Sequence, residues 1–570
     1  VNQDTERLVK RHAYGFEGTN SLVIKPNVYC SCSRSHVQIM GTAIKEIAVL
    51  LGLGEPESST PCTCTLNLAH ALVDRHRAAE KCRPKSLSKR DEKAYLKHLN
   101  DLFELGRVSL KSQEFKTYDD VAAAYSGTKA ILARKIIADM RENGFVQRIF
   151  FNAMVKWGER NSRGRAIVPH QFFALGSELT KAGERLNGPI IVELPARSKQ
   201  EEFYHVLRNK NGTRMFASGR SPGQRAKDII KMFTPGWVCL SLDATSFDGS
   251  QGWLGVLERH AFLAWLKKMK YPELDDIKRC LSSQNRINIE TREMRAMLFG
   301  NRASGTGGTS AGNKSVFLCA LQWAMGLCYK RNKCHFYCDG DDTLVFVHPS
   351  QMKHMRSWFK RLERIGLEVK LENVAHRPSE VVFCRAKIVE LESGPLLVKI
   401  PSDAFKTQTC IVRHFKGTEF PDYIHTLGVG FGQLWGNVPV HRGIAKLFAG
   451  VDGKEKASLL GNSGLEYMLG AQGKRRSPPP KEPSLNDRLA YFETFGISPD
   501  AQIRIENLFE EAGAGMAEAV KSFVPCVKGE RQPAGASMDR FYDLDDDPKN
   551  LIARLAGLSH VVLPGKCAAE

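Results

Sequence analysis

The run CHFYCDGDDTLVFV, Cys334 to Val347, constrains the chain more than any other stretch. Two apolar runs flank an Asp-Gly pair, which is a strong signal for a hairpin. Asp339, Asp341 and Asp342 crowd around that turn. Like charges this close repel, and apolar neighbours make ionised carboxylates costly. The hairpin therefore asks for a cation, although an ordinary Asp-Gly turn would use the same residues.

The chain around the hairpin alternates in pattern. WVCLSLDAT reads as a strand and WLGVLERHAFLAWLKKM as a helix. GTSAGNKSVFLCALQWAMGLCY reads as a buried helix, and SQMKHMRSWFKRLERIG as a helix with a serine start and a glycine stop. LEVKLE and VVFCRAKIV read as strands. A sheet with helices on one face predicts an α+β layer. Upstream, the stretches from Arg83 to Gly106 and from Gly127 to Gly144 read as helices, the second closed by a glycine stop. After residue 400 the pattern is mainly helical with glycine-rich turns. LGLGEPESSTPCTC, from Leu51, reads as punctuation, and GKRRSPPPKEP, Gly473 to Pro483, as an exposed loop or linker. DLDDDPKNLIARLAGL reads as a late helix with Asp547 as its cap and Pro548 at its first position.

A second acidic strand end lies upstream, in SLDATSFDGSQG. Asp243 ends an apolar strand and Asp248 follows it. Two strand ends, each with an aspartate, can share two divalent ions roughly 3.5–4 Å apart. Magnesium suits such a site because it takes oxygen ligands and keeps waters and substrate phosphates in its shell. Between the aspartates lies ASGTGGTSAGNKSVF. Gly305, Gly307 and Gly308 predict a flexible loop that lets backbone approach a ligand. Thr309 and Asn313 stand one helical turn apart, so both can face that ligand.

The chain has 570 residues, too many for one small core, so several subdomains are expected. Its formal net charge of +20 points to a polyanionic partner, nucleic acid or an anionic membrane surface. No apolar run is long enough to span a bilayer and no signal peptide is visible. The chain opens on Val1, which predicts a processed product or part of a larger one. Its 15 cysteines follow no framework and read as reduced thiols. Cys30, Cys32, Cys62 and Cys64, with His36, His70 and Cys82 nearby, invite a zinc reading. Zinc sites space their cysteines roughly two to four apart, and a single residue separates each pair here, so the spacing argues against zinc.

The order Asp243…Asp248, then Ser304-Gly305…Thr309…Asn313, then Gly340-Asp341-Asp342 resembles the palm motifs of positive-strand viral RNA-dependent RNA polymerases. More narrowly, the chain resembles the tombusvirus and carmovirus-like group. GLEVKLENVAHRPSEVVFCRAKIV is similar to the next two palm motifs. YSGTKAILARKI, LWGNVPV and FGISPDAQIRIE also look like segments of that group, so the likeness runs from about Tyr125 to Glu506. Asp339 stands where that group often has asparagine, and a structural hydrogen bond is expected of it.

The resemblance implies a right hand of fingers, palm and mainly helical thumb, with an antiparallel palm sheet backed by helices. Residues 86–235 would be fingers, 236–400 palm with an inserted fingers segment at about 266–302, and 401–570 thumb and C-terminal region. Residues 1–85 would pack on the fingers. Asp243 and Asp341 would hold both magnesium ions, with manganese a possible substitute, and Asp342 would be a weaker or indirect ligand. Asp248 and Asn313, helped by Ser304, Gly305 and Thr309, would read the ribose 2′-hydroxyl. VKWGERNSRGRAIVP resembles the basic fingers motif, which makes Arg165, with Lys156 and Arg163, contacts for the triphosphate. In LEVKLE, Val369 and Leu371 share one strand face and Glu368, Lys370 and Glu372 the other. Lys370 would protonate the leaving pyrophosphate, against a plainer reading in which it offsets the two glutamates on a solvated face.

The implied partners are template and product RNA, ribonucleoside triphosphates, and a replication-complex partner that supplies membrane attachment. That places the protein in the host cytoplasm at membrane-associated complexes. Primer-independent starts are expected from the resemblance. Two other classes remain: a reverse transcriptase-like polymerase, and a non-enzymatic basic RNA-binding protein.

Overall fold

The computed structural model describes residues 21–24, 37–38, 42–51, 87–125, 127–143, 149–151, 154–155, 166–167, 170–172, 191–245, 247–290, 294–299, 301–303, 306–406, 410–411, 419–456 and 481–521. The zinc-type cysteines, the late helix at Asp547 and nearly all of the two Pro-rich stretches lie outside them.

Helix α1 (Lys89–Ser109) begins where Ser88 Oγ accepts from the Asp91 amide at 3.1 Å. It runs three residues past Gly106. That glycine serves packing: a Cβ there would lie 2.7 Å from the Phe203 ring. Phe203 belongs to α2 (Leu194–Val206), which is followed by α3 (Pro222–Met232). The helix expected from Gly127 spans Gly127–Asn143.

The centre is a four-stranded antiparallel sheet of β1 (Val238–Ala244), β2 (Cys334–Asp339), β3 (Asp342–Val347) and β4 (Val369–Ala375), in the order β2-β3-β1-β4. The alternation of each strand divides its apolar residues between two faces. Val238, Leu240, Leu242, Phe336, Val345 and Leu371 pack on one face against α1, α2, α4 (Gly252–Lys268), α5 (Gly308–Met325) and α6 (Met355–Arg364). Cys239, Tyr337, Leu344, Phe346 and Ala375 pack on the other, against α3 and the hairpin β5 (Ala386–Leu391)–β6 (Gly394–Lys399). The α+β class holds, but the sheet is covered on both faces rather than one.

Two predicted elements differ in detail. The helix expected from Ser350 opens as a 3₁₀ segment, Pro349–His354, because the His348 ring, not a serine, accepts the Ser350 amide at 3.2 Å. VVFCRAKIV is not one strand: pairing starts only at Ala386, and Cys384 and Arg385 sit at φ of 51° and 57° in the turn before it. A second, five-stranded sheet joins Ser21–Ile24, Met294–Phe299, Arg286–Glu290, Ile149–Phe151 and His170–Phe172 in that order.

Helices α7 (Glu419–Trp435), α8 (His441–Ala449), α9 (Leu485–Phe495) and α10 (Pro499–Lys521) build a separate apolar core around Phe420, Phe431, Phe448, Tyr491 and Phe509. Two stretches singled out in the sequence meet here. Glu506, at the end of FGISPDAQIRIE, accepts the Val440 amide of LWGNVPV at 2.9 Å and pairs with Arg488 at 2.8 Å. Val440 has a φ of 64°, so the buried carboxylate satisfies an amide that the turn turns away from any helix. No helix among the described residues is long and apolar enough to cross a membrane.

Candidate active site

Four strands bring one charged row to the same end of the same sheet face. Asp339 is paired with Asp342 across the hairpin. The β3–β1 register runs through Thr343–Leu242, so its next step sets Asp342 level with Asp243. Asp243 is paired with Lys370 on β4. Directly paired residues share a face, so Asp339, Asp342, Asp243 and Lys370 line up in that order. Gly340, at a φ of 76°, makes the turn that carries Asp341 beside them.

This crowding has an electrostatic signature. Burial, followed by the charges on Asp341, Asp243, Glu372 and Asp339, pushes the Asp342 carboxyl up to about 7. Asp339 pairs with Arg225 of α3 at 2.7 Å, a charge-assisted form of the structural hydrogen bond expected of it. Among the described residues, no set of three or more His, Cys, Asp or Glu side chains closes into a ready-made metal cage. Magnesium needs less than a cage, since it is held by one or two carboxylates with waters and substrate phosphates. An all-oxygen donor set in which burial and crowded carboxylates raise Asp342 fits such a cation.

The fit has a measurable consequence. In the folded chain Asp342 holds its proton to about pH 7, whereas an unfolded aspartate loses it near 3.9. The metal-free protein therefore loses stability as the pH rises from about 4 through 7. A divalent cation offsets the charge that appears, so added Mg²⁺ should raise the melting temperature more at pH 8 than at pH 6. Equal shifts at both pH values in a scanning calorimeter would count against a cation at these carboxylates.

A polar pair joins α5 to the segment that follows β1. Asn313 Nδ2 of α5 donates to Asp248 Oδ1 at 3.0 Å. Thr309, one turn before Asn313, does not point its hydroxyl outward with it. Its Oγ1 donates to the Ala303 carbonyl at 2.9 Å and ties down the loop. Gly307 and Gly308 also serve packing rather than ligand approach. A Cβ on Gly307 would meet Glu193, and one on Gly308 would meet the Arg197 guanidinium, each at 2.9 Å. Ser304, Gly305, Arg165, Lys156 and Arg163 lie outside the described residues.

Behind the pair lies a buried ionic cluster that the sequence did not announce. Glu258 is fully buried and pairs with Arg197 at 2.7 Å and Arg302 at 3.2 Å. Burial alone would raise its pKa, but Arg197 and Arg302 outweigh burial and hold it at about 2. Its stabilisation is complete above the ordinary glutamate value of about 4.3, and is lost as the pH falls through 2. Glu258→Ala should destabilise the fold by about 3–5 kcal/mol, because it leaves two buried guanidiniums without their carboxylate. Urea unfolding measures this, and a change within error would contradict the cluster's role.

Glu372 is a second residue that sequence reasoning placed but did not credit. A register shift between Leu371 and Asn373 marks a bulge at Glu372. Burial and then Asp243 raise its carboxyl, with Arg385 and Lys370 opposing. It therefore adds acidity at the edge of the row. Lys370 is exposed, while Val369 and Leu371 pack on the core as their alternation predicted.

Comparison with known proteins speaks to the same region. Residues 183–515 match the model of a family described as viral RNA dependent RNA polymerase. That is more than half of the chain and includes the whole charged row.

The chain belongs to the viral RNA dependent RNA polymerase family.

Among this polymerase-family chain's relatives, a putative RNA-directed RNA polymerase of barley yellow dwarf virus (isolate MAV) is 22% identical over 69% of the chain and 45% of its own length. The RNA-directed RNA polymerase of red clover necrotic mosaic virus is 28% identical over 37% of the chain and 28% of its own length. That of carnation ringspot virus is 28% identical over 39% and 29% respectively. The match thus spans less than half the length of each of these relatives.

Proposed function

We propose that this chain is the catalytic part of an RNA-directed RNA polymerase that replicates a positive-strand viral RNA genome with primer-independent starts. The observation that carries the reading is the carboxylate row, Asp342 beside Asp243 with Asp341 at the turn, in a chain that also pairs Asp248 with Asn313. Family membership supports the same reading.

In this reading residues 236–400, with the four-stranded sheet and the helices α4, α5 and α6, are the palm. Residues 86–235 and the segment at about 266–302 form the fingers, with 1–85 packed on them. The five-stranded sheet supports this, since it joins strands from all three regions. Residues 401–570 form the thumb and C-terminal region.

The reaction is attack of the RNA 3′-hydroxyl oxygen on the α-phosphorus of a ribonucleoside triphosphate. A P–O bond forms as the bond to pyrophosphate breaks. Asp243 and Asp341 would hold the magnesium ions, with Asp342 a weaker ligand and manganese a substitute. Bound there, the ions lower the pKa of the hydroxyl and offset charge gathering on the leaving group. Lys370 holds a proton on the same sheet face and gives it to the pyrophosphate. Arg165, with Lys156 and Arg163, receives the triphosphate. Asp248 and Asn313, with Ser304, Gly305 and Thr309 shaping the loop, read the ribose 2′-hydroxyl, so that a deoxy substrate leaves buried polar groups unpaired. The surplus of +20 draws template and product RNA to the chain. Membrane attachment comes from a replication-complex partner in the host cytoplasm.

The test is incorporation of radiolabel by the purified chain on an RNA template with Mg²⁺, using ribonucleotides in one arm and deoxynucleotides in the other. Ribonucleotide incorporation alone is expected. Preference for deoxynucleotides would mean a reverse transcriptase, and RNA binding with no incorporation would mean a binding protein.

A further inference from the structure

Four side chains connect the buried ionic cluster to the ribose pair in a single file. Arg302 Nε donates to Gln251 Oε1 at 3.0 Å. Gln251 Nε2 donates to Asn313 Oδ1 at 2.5 Å. Asn313 Nδ2 donates to Asp248 Oδ1 at 3.0 Å. Arg302, Gln251 and Asn313 are all buried. Space for the file is cut into α5: a Cβ on Gly312 would lie 2.5 Å from Arg302 Nη2.

The ends of the file fix its direction. A guanidinium only donates and a carboxylate only accepts, whereas each amide in between can do either. With Arg302 at one end, the Gln251 carbonyl must face it, which turns the Gln251 amino group to Asn313. The Asn313 carbonyl is then committed inward, and its amino group faces Asp248. That amino group has a second N–H. The pair therefore offers one acceptor, from Asp248, and one donor, from Asn313. A hydroxyl matches both at once, because it donates and accepts; a C–H matches neither.

We propose that Gln251, oriented by Arg302, is a positioning residue for ribose selection, which acts by holding Asn313 as a hydrogen-bond donor. The inference rests on the reading of Asp248 and Asn313 as the ribose contacts, and it assigns the direction of that contact to a residue that does not touch the nucleotide. Arg302 in turn is held by Glu258 at 3.2 Å, so the file is anchored in the protein interior rather than at its surface.

Gln251→Glu is the decisive variant. It keeps the shape and still accepts from Arg302, but it cannot donate to Asn313. The Asn313 amide then turns its amino group inward and its carbonyl toward Asp248, where two acceptors oppose each other. We expect kcat/KM for ATP to fall while that for dATP holds, which lowers the ATP/dATP ratio roughly tenfold, about the worth of one hydrogen bond. Gln251→Leu removes the donor without adding a charge. It should shift the ratio the same way, and it keeps the test open if the Glu variant fails to fold. Asn313→Ala is the control for the underlying reading.

An unchanged ratio in a folded Gln251 variant, with the ratio lowered in Asn313→Ala, overturns the inference and leaves the ribose reading standing. An unchanged ratio in Asn313→Ala as well overturns both. Equal losses for ATP and dATP, in step with a lowered melting temperature, would make Gln251 a packing residue and also overturn the inference.

Discussion

Asp341→Asn is expected to cut single-turnover nucleotide incorporation by roughly 10²–10³-fold, the scale seen when a group that stabilises transition-state charge is removed. RNA affinity should stay close to the parent's. The substitution is isosteric and changes only the charge at the turn that Gly340 builds beside the row. Affinity for RNA comes mainly from phosphate contacts spread over a basic surface, so it does not depend on one carboxylate at the chemistry. The substitution should not unfold the chain: burial and then crowded negative charges raise Asp342, and removal of one of those charges relieves part of the strain. The melting temperature should hold or rise. Near-normal turnover by a folded Asp341→Asn protein would sink the assignment of the carboxylate row.

The second large effect is expected at Lys370. The residue stands directly across from Asp243 on the neighbouring strand, on the face that carries the carboxylates. It is exposed, so nothing in the fold buries the ammonium away from an incoming triphosphate. Pyrophosphate is a poor and highly charged leaving group, and a proton donated as the bond breaks is worth about 10²–10⁴-fold. Lys370→Leu should therefore slow single-turnover addition by that order and weaken nucleotide binding far less. Lys370→His should retain more rate than Leu, and lose it as the pH rises past the imidazole value of about 6.5. Identical pH–rate profiles for His and Leu, or an effect on nucleotide affinity alone, would return Lys370 to a charge that merely offsets Glu368 and Glu372.

The parts of this site that could be read in the sequence are those set by local pattern. Asp-Gly between apolar runs specified the hairpin, and alternation in LEVKLE put Val369 and Leu371 inward and Lys370 outward, as found. The spacing of Asp248 and Asn313 carried no local signal of contact. Their pairing followed from the family resemblance, and the structure shows it as a 3.0 Å hydrogen bond. What escaped was set by tertiary meetings. Gln251 lies in a Gly-Ser-Gln-Gly stretch with no periodicity, and its meaning arises only where Arg302 and Asn313 converge on it. The loop glycines looked like a ligand-binding signature, yet Gly307 and Gly308 yield space to Glu193 and Arg197. Glu258 and Arg197 sit in different helices and Arg302 in the loop before α5, and only their burial together makes them a cluster. The bulge at Glu372 and the left-handed turn at Cys384 and Arg385 are backbone irregularities that alternation cannot foresee.

The most direct test of the central claim is templated synthesis on homopolymers. The purified chain, given poly(U), Mg²⁺ and one ribonucleotide at a time, should incorporate ATP and not GTP, CTP or UTP. One pyrophosphate should be released for each adenylate added. Incorporation that ignores the template, or pyrophosphate released without chain growth, would contradict the account of this chain as an RNA-copying polymerase.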